Sequence, residues 1–132
     1  MAITAQHKEV TFGVGDKVKV FQRIKEREKA RFQSFEGIVL GIKGSLENTS
    51  FTVRRVGEAN IGIERIFPLY SPTIEKIEVT RKGGEGIRHA KIYYIRGKSK
   101  KQVEKIFSRV AKKNITSKAK KKKASRKTKD KK

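Results

Sequence analysis

The sequence predicts an all-β domain, curled into a small barrel, with one α-helix and a basic tail after it. Three observations predict this. Short β-branched and aromatic runs, punctuated by Gly and Pro, fill the stretch from Val14 to Arg96 with no helical period among them. A single apolar stripe at helical spacing follows, and beyond it the chain is nearly all Lys. With 132 residues there is room for one domain, and 35% hydrophobic content supports a core only if the apolar residues are concentrated ahead of the tail.

The elements can be justified in order. Residues 1–11 read as an N-terminal arm, and residues 12–97 as the barrel. Gly13-Val14-Gly15-Asp16 is a turn into Lys17-Val18-Lys19-Val20-Phe21, where valines alternate with lysines as in a half-buried strand. The longest run, 32–42, contains Gly37 and Gly41, which predict bends or bulges that let a sheet curl. Between these strands, Lys25-Glu26-Arg27-Glu28-Lys29 reads as a solvated hairpin tip. Carboxylates interleaved with cations on a solvated tip read as surface charge and not as a catalytic acid pair. Further strands are expected at Ser50–Val56, Ile61–Phe67, Thr73–Arg81 and Ala90–Arg96, separated by Gly44-Ser45, Gly57-Glu58, Ser71-Pro72 and Gly83-Gly84. In the last of these strands, alternation would send Tyr93 and Tyr94 to opposite sides, one into the core and one out for stacking. Five or six short strands at this spacing suit an SH3-like or OB-like barrel.

Residues 98–114 form the predicted helix. Ser99 and Gln102 make a capping box, and Val103, Ile106, Phe107 and Val110 fall on one face, expected to pack on the barrel. Lys101, Lys105, Arg109 and Lys112 lie opposite, and Asn114 is the expected stop. Residues 115–132 are the tail. From Lys118 onward it has no apolar residue larger than Ala, so it is expected to be disordered when free.

Charge defines the function class. The formal net charge is +22, and residues 98–132 carry 17 basic residues against 2 acidic. Such a segment neutralises phosphates and releases their counterions. The tail contacts are expected at Lys118, Lys120, Lys121, Lys122, Lys123, Arg126 and Lys127. In the body, Arg54, Arg55, Arg81, Lys82, Arg88, Lys91, Arg96 and Lys98 cluster around predicted strand ends and read as an RNA-binding surface, continued by Lys100 and Lys101 on the helix. His89, between Arg88 and Lys91, suits a phosphate or base-stacking contact.

Catalytic and metal chemistry find no support. With no Cys, thiolate catalysis, disulfides and Cys-based metal sites are excluded, and His7 and His89 are too far apart in sequence for a local metal pair. Gly97-Lys98-Ser99 resembles the end of a phosphate-binding loop, yet the Gly required five residues earlier is Ile92. The third Gly of a dinucleotide fingerprint begun at Gly84 would fall on His89. No cofactor is expected. No stretch reaches the roughly 20 apolar residues of a membrane span. The opening MAITAQHKEV lacks the apolar core of a secretory signal, so the cytoplasm is the expected compartment.

These residues also resemble a family. Phe12 with Val14 to Val20, then Arg31-Phe32-Gln33-Ser34-Phe35-Glu36-Gly37-Ile38-Val39, then Phe51-Thr52-Val53-Arg54-Arg55, Gly62 to Ile74 and Arg88 to Arg96 are similar, in order, to the bacterial-type large-subunit ribosomal protein L19 family. The resemblance covers residues 12 to 110, and FQSFEG, GIERIFPLYSP and AKIYYIR are its most specific segments. It implies an SH3-like barrel embedded in large-subunit rRNA near the small subunit, supporting subunit association. The implied partners are large-subunit rRNA, small-subunit rRNA at an intersubunit bridge and neighbouring large-subunit proteins, with no membrane. It adds Arg31 and Gln33 to the RNA-contacting residues. Where it departs from the family, the chain has a longer loop from Lys82 to Arg88, which brings Glu85 near the RNA. The rival readings are a barrel-type RNA-binding accessory factor of translation or transcription, and a DNA-compacting architectural protein.

Overall fold

A computed structural model describes residues 4–83, 87 and 89–109. The chain divides into two compact units, Met1–Gly97 and Lys98–Lys132.

The first unit is all-β. A two-stranded antiparallel ribbon, β1 (Thr4–His7) and β2 (Val10–Gly13), precedes a five-stranded antiparallel sheet of order β6-β5-β4-β3-β7. Its strands are β3 (Lys17–Glu26), β4 (Lys29–Lys43), β5 (Ser50–Val56), β6 (Gly62–Pro68) and β7 (Ile74–Arg81). Each of these five was legible from the sequence, with ends within three residues except that of β3, read as Lys17–Phe21: it runs on to Glu26, so Lys25, Glu26 and Lys29 of the expected hairpin tip are strand and the turn is only Arg27-Glu28. The ribbon was not: 1–11 read as an arm without elements. It is tied down by Lys8, whose ammonium donates to the Glu75 carbonyl at 2.8 Å.

Alternation builds the core. On β3, Val18 and Val20 point inward and Lys17, Lys19 and Phe21 outward, and the register places Val20 opposite both Phe35 and Ile77. Phe12, Phe51 and Phe67 are among the largest fully buried side chains. Phe51 meets Phe12 edge-on with ring centroids 4.9 Å apart and stacks on Phe67 at 5.5 Å. The β4–β5 ladder slips between Val39 and Gly41, a bulge at one of the two glycines that predicted a bend. The sheet curls strongly. Arg65 on edge strand β6 donates to Gln22 Oε1 on β3 at 2.9 Å, although a flat sheet would hold strands three places apart at about 14 Å. β6 and β7 are its edges, and among the described residues no ladder joins them.

The turn at Gly15, with φ of +90°, leads into a clamp. The Gly13 and Gly83 N–H groups each donate at 2.9 Å to an Asp16 carboxylate oxygen, fixing the start of the loop that leaves β7.

One expected strand needs correction. Ala90–Arg96 does not form a strand; Tyr93–Gly97 is a 3-10 helix. Ile92 and Ile95 are buried, three residues apart, and the Ile95 N–H donates to the Ile92 carbonyl at 3.2 Å. A strand would turn Ile92 and Tyr94 to one side, whereas a three-residue turn buries Ile92 with Ile95 and leaves Tyr94 exposed. The β-branched and aromatic content of the run misled the reading.

In the second unit, residues 100–109 form helix α1. The Gln102 half of the expected capping box is present: the Ser99 N–H donates to Gln102 Oε1 at 3.1 Å, and the Val103 N–H donates to the Ser99 carbonyl at 3.0 Å as the first helical bond. Phe107 is buried, Val103 and Ile106 are half-buried, and Lys101, Lys105 and Arg109 are exposed. Val110, Lys112, Asn114 and the tail lie outside the described residues.

Candidate nucleic-acid interface

The site grows from one cross-strand pair. The β5–β6 register sets Arg54 opposite Glu64, and Arg54 Nη1 donates to Glu64 Oε1 at 2.9 Å. Gly62 makes this possible, because a Cβ there would occupy the space of the Arg54 guanidinium. Arg96, from the 3-10 helix, completes the group by donating Nε and Nη2 to the two Glu64 oxygens, each at 2.6 Å. The hydrogen bond from Arg96, supported by that from Arg54, holds the Glu64 carboxyl below the usual carboxylate range despite the opposing effect of burial.

Aromatic support extends the cluster. The Arg96 guanidinium lies 4.6 Å from the Tyr93 ring centroid, and the Lys43 ammonium lies 5.9 Å from the same ring. Both Tyr93 and Lys91 rest on Gly41: a Cβ at that position would stand 3.2 Å from Lys91 Cγ and 3.5 Å from the Tyr93 hydroxyl. The Ile92 N–H donates to the Leu40 carbonyl at 2.9 Å, fixing this segment beside the β4 bulge. Arg54 and Arg96 thus share one carboxylate, Arg96 and Lys43 share one phenol ring, and the stem of Lys91 lies beside Gly41 next to them. Cations outnumber carboxylates in this part of the surface, which gives it a positive local balance.

Several expected residues lie elsewhere. Arg55 alternates away from Arg54 and places its guanidinium 5.4 Å from the Phe35 ring centroid, so the adjacent arginines do not form one patch. Arg31 and Gln33 are exposed on β4 in the long β3–β4 hairpin, where Arg31 pairs with Glu26 at 3.3 Å. Arg81 ends β7 and Lys82 follows it, both exposed. His89 is exposed and meets Tyr94 edge-on at 6.2 Å. Lys98, Lys100 and Lys101 are exposed in the second unit. Arg88 and the tail cations Lys118 to Lys127 lie outside the described residues.

Sequence reading missed Glu64, Lys43 and Arg65. Arg65 covers the rim of the core, 5.5 Å from the Phe35 centroid and 5.1 Å from that of Phe67. The predicted strands alone did not point to Glu64: paired end to end, they set residue 54 opposite residue 63, and the observed register is shifted by one residue, which brings Glu64 to the face of Arg54. Among the described residues, no group of three His, Asp or Glu side chains could hold a metal ion.

Comparison with known proteins adds a third line. The family model for ribosomal protein L19 matches residues 2–113. The large ribosomal subunit protein bL19 of Thermosipho africanus is 58% identical over 85 residues, covering 64% of this chain and 72% of that protein. The bL19 of Thermosipho melanesiensis is 56% identical over 92 residues, covering 69% and 78%. That of a Sulfurovum species is 51% identical over 85 residues, covering 64% and 70%.

Proposed function

Because the chain belongs to the ribosomal protein L19 family, we propose that it binds large-subunit rRNA through the cluster of Lys43, Arg54, Lys91 and Arg96, close to where the small subunit docks. Membership makes it a structural constituent of the large ribosomal subunit and not an enzyme. The observation that carries the RNA reading is the Glu64-centred cluster, in which cations are held at fixed positions by ion pairs and a phenol ring. Fixed cations suit a folded RNA, whose phosphates have a defined spacing and whose deep major groove hides the bases.

Affinity comes from phosphate neutralisation, with Arg31, Gln33, Arg55, Arg81, Lys82, Arg88, His89, Lys98, Lys100 and Lys101 as further contacts, and the tail cations beyond them. FQSFEG, GIERIFPLYSP and AKIYYIR support the finer reading of a contact to small-subunit rRNA at an intersubunit bridge, and of neighbouring large-subunit proteins as partners. Replacing Lys43 and Lys91 by Gln keeps a polar side chain of nearly the same reach and removes two charges. The slope of log affinity for rRNA against log salt is then expected to become shallower by about 2, one for each phosphate that is no longer neutralised. An unchanged slope and affinity would remove this cluster from the interface. The bridge reading predicts that large subunits carrying these variants join small subunits less well in gradients, and normal joining would refute it.

A further inference from the structure

The outer surface of the β3–β4 hairpin carries a second pattern that phosphate binding does not use. Phe32, a large aromatic ring, is 62% exposed on β4. The register puts Ser34 opposite Phe21, so Phe32 is the diagonal neighbour of Phe21 on the same face, roughly 7 to 8 Å away. Arg23 stands directly across from Phe32. Phe21 is half-buried because cations cover it: the Lys19 ammonium lies 5.1 Å from its centroid and that of Lys76 4.7 Å. The two carboxylates on this face are already engaged, Glu36 with Lys17 at 3.2 Å and Glu78 with Lys76 at 2.7 Å. Lys19 and Arg23 therefore tip the face to positive.

The geometry points to a stacking site for an unpaired nucleobase on Phe32, with the flanking phosphates of the single strand received by Arg23 and Lys19. Every base has a π-face, and an exposed ring bordered by cations is the arrangement that captures single strands without reading their sequence. Duplex phosphates have no use for the ring. A protein partner with a matching apolar surface would meet one exposed ring bordered by arginine and lysine, whereas a single strand complements both the ring and the charge. The inference rests on the RNA-binding reading and adds to it a contact with an unstacked base.

The chain contains no Trp, so Phe32→Trp gives a single indole reporter at the site. Its fluorescence is read in the full-length chain with a single-stranded RNA of about 12 nucleotides, within the span covered by single-strand-binding folds, and with a duplex of the same sequence. Binding is followed independently by anisotropy of the RNA. Quenching by the single strand and not by the duplex is expected. Phe32→Ala should weaken single-strand binding roughly 5- to 150-fold, the loss of one stacked base, while duplex affinity stays within about twofold. An unquenched indole on bound single strand, or equal losses for both RNAs, overturns the inference and leaves the RNA-binding reading standing. Failure of both RNAs to bind overturns both readings, and binding of the duplex alone overturns the inference. A fluorescence change with large-subunit proteins but not with RNA would assign the face to a protein neighbour and also overturn it.

Discussion

Glu64 holds two guanidiniums, and its chemistry fixes a pH dependence. Its pKa is lowered in the fold, so its stabilising contribution is fully present above the ordinary value of 4.5 and is lost as pH falls through the lowered folded value. Glu64→Gln is expected to cost about 1 kcal/mol at pH 7, since the Arg54 pair is partly shielded while the Arg96 pair faces water. The deficit should shrink below pH 4, which melting curves from pH 3 to pH 7 would show; a deficit independent of pH would contradict this account. His7 has a second pH dependence. Burial, and then the neighbouring Lys8 charge, push its pKa below 6.5. Its contribution is present above pH 6.5 and lost as pH falls from there through the lowered value, because the unfolded state takes the proton first. His7→Gln should remove that step from melts recorded between pH 8 and pH 5.

The 3-10 helix Tyr93–Gly97 is the element on which the candidate interface depends, because it delivers Tyr93 and Arg96 to the sheet. It runs close to β4 at Gly41, where even a Cβ would stand 3.2 Å from Lys91 Cγ and 3.5 Å from the Tyr93 hydroxyl. Gly41→Val would drive its γ carbons against Lys91 and Tyr93, with an expected cost of about 1–3 kcal/mol typical of overpacking. Thermal melts would read that cost, and hydrogen exchange at Ile92 and Ile95 would show the segment loosened. A neutral effect on both would mean that Gly41 serves only the bulge. This element was also the least legible one. The β-branched and aromatic residues of Ala90–Arg96 satisfy strand propensity, and nothing local distinguishes a strand from a turn that buries every third residue. The strands β3 to β7 were legible because period-2 alternation is a property of the chain itself. Their pairing across the curl, where Arg65 meets Gln22, is not.

Across the whole molecule, charge is divided unevenly. The body carries 18 basic and 11 acidic residues, while residues 98–132 carry 17 and 2. Removing residues 115–132 deletes ten cations and one carboxylate and leaves in place every buried apolar side chain found among the described residues. The melting temperature of the shortened chain should match that of the full chain, while its rRNA affinity falls and depends less steeply on salt. A large loss of stability would mean that the tail supports the fold, and an unchanged salt slope would mean that it stays off the phosphates.

The sequence by itself determined the all-β class, five of the seven strands, the Gln102 cap at the start of α1, the basic character of the surface and the family resemblance. All of these depend on local periodicity, turn chemistry or composition. Only the tertiary structure decided which cations act together. Arg54 and Arg55 are adjacent in the chain and fall on opposite faces of β5, whereas Arg54, Glu64 and Arg96 are far apart in the chain and share hydrogen bonds. Side-chain alternation separates neighbours and sheet register joins distant residues, so a set of basic positions becomes a surface only once the strands are paired.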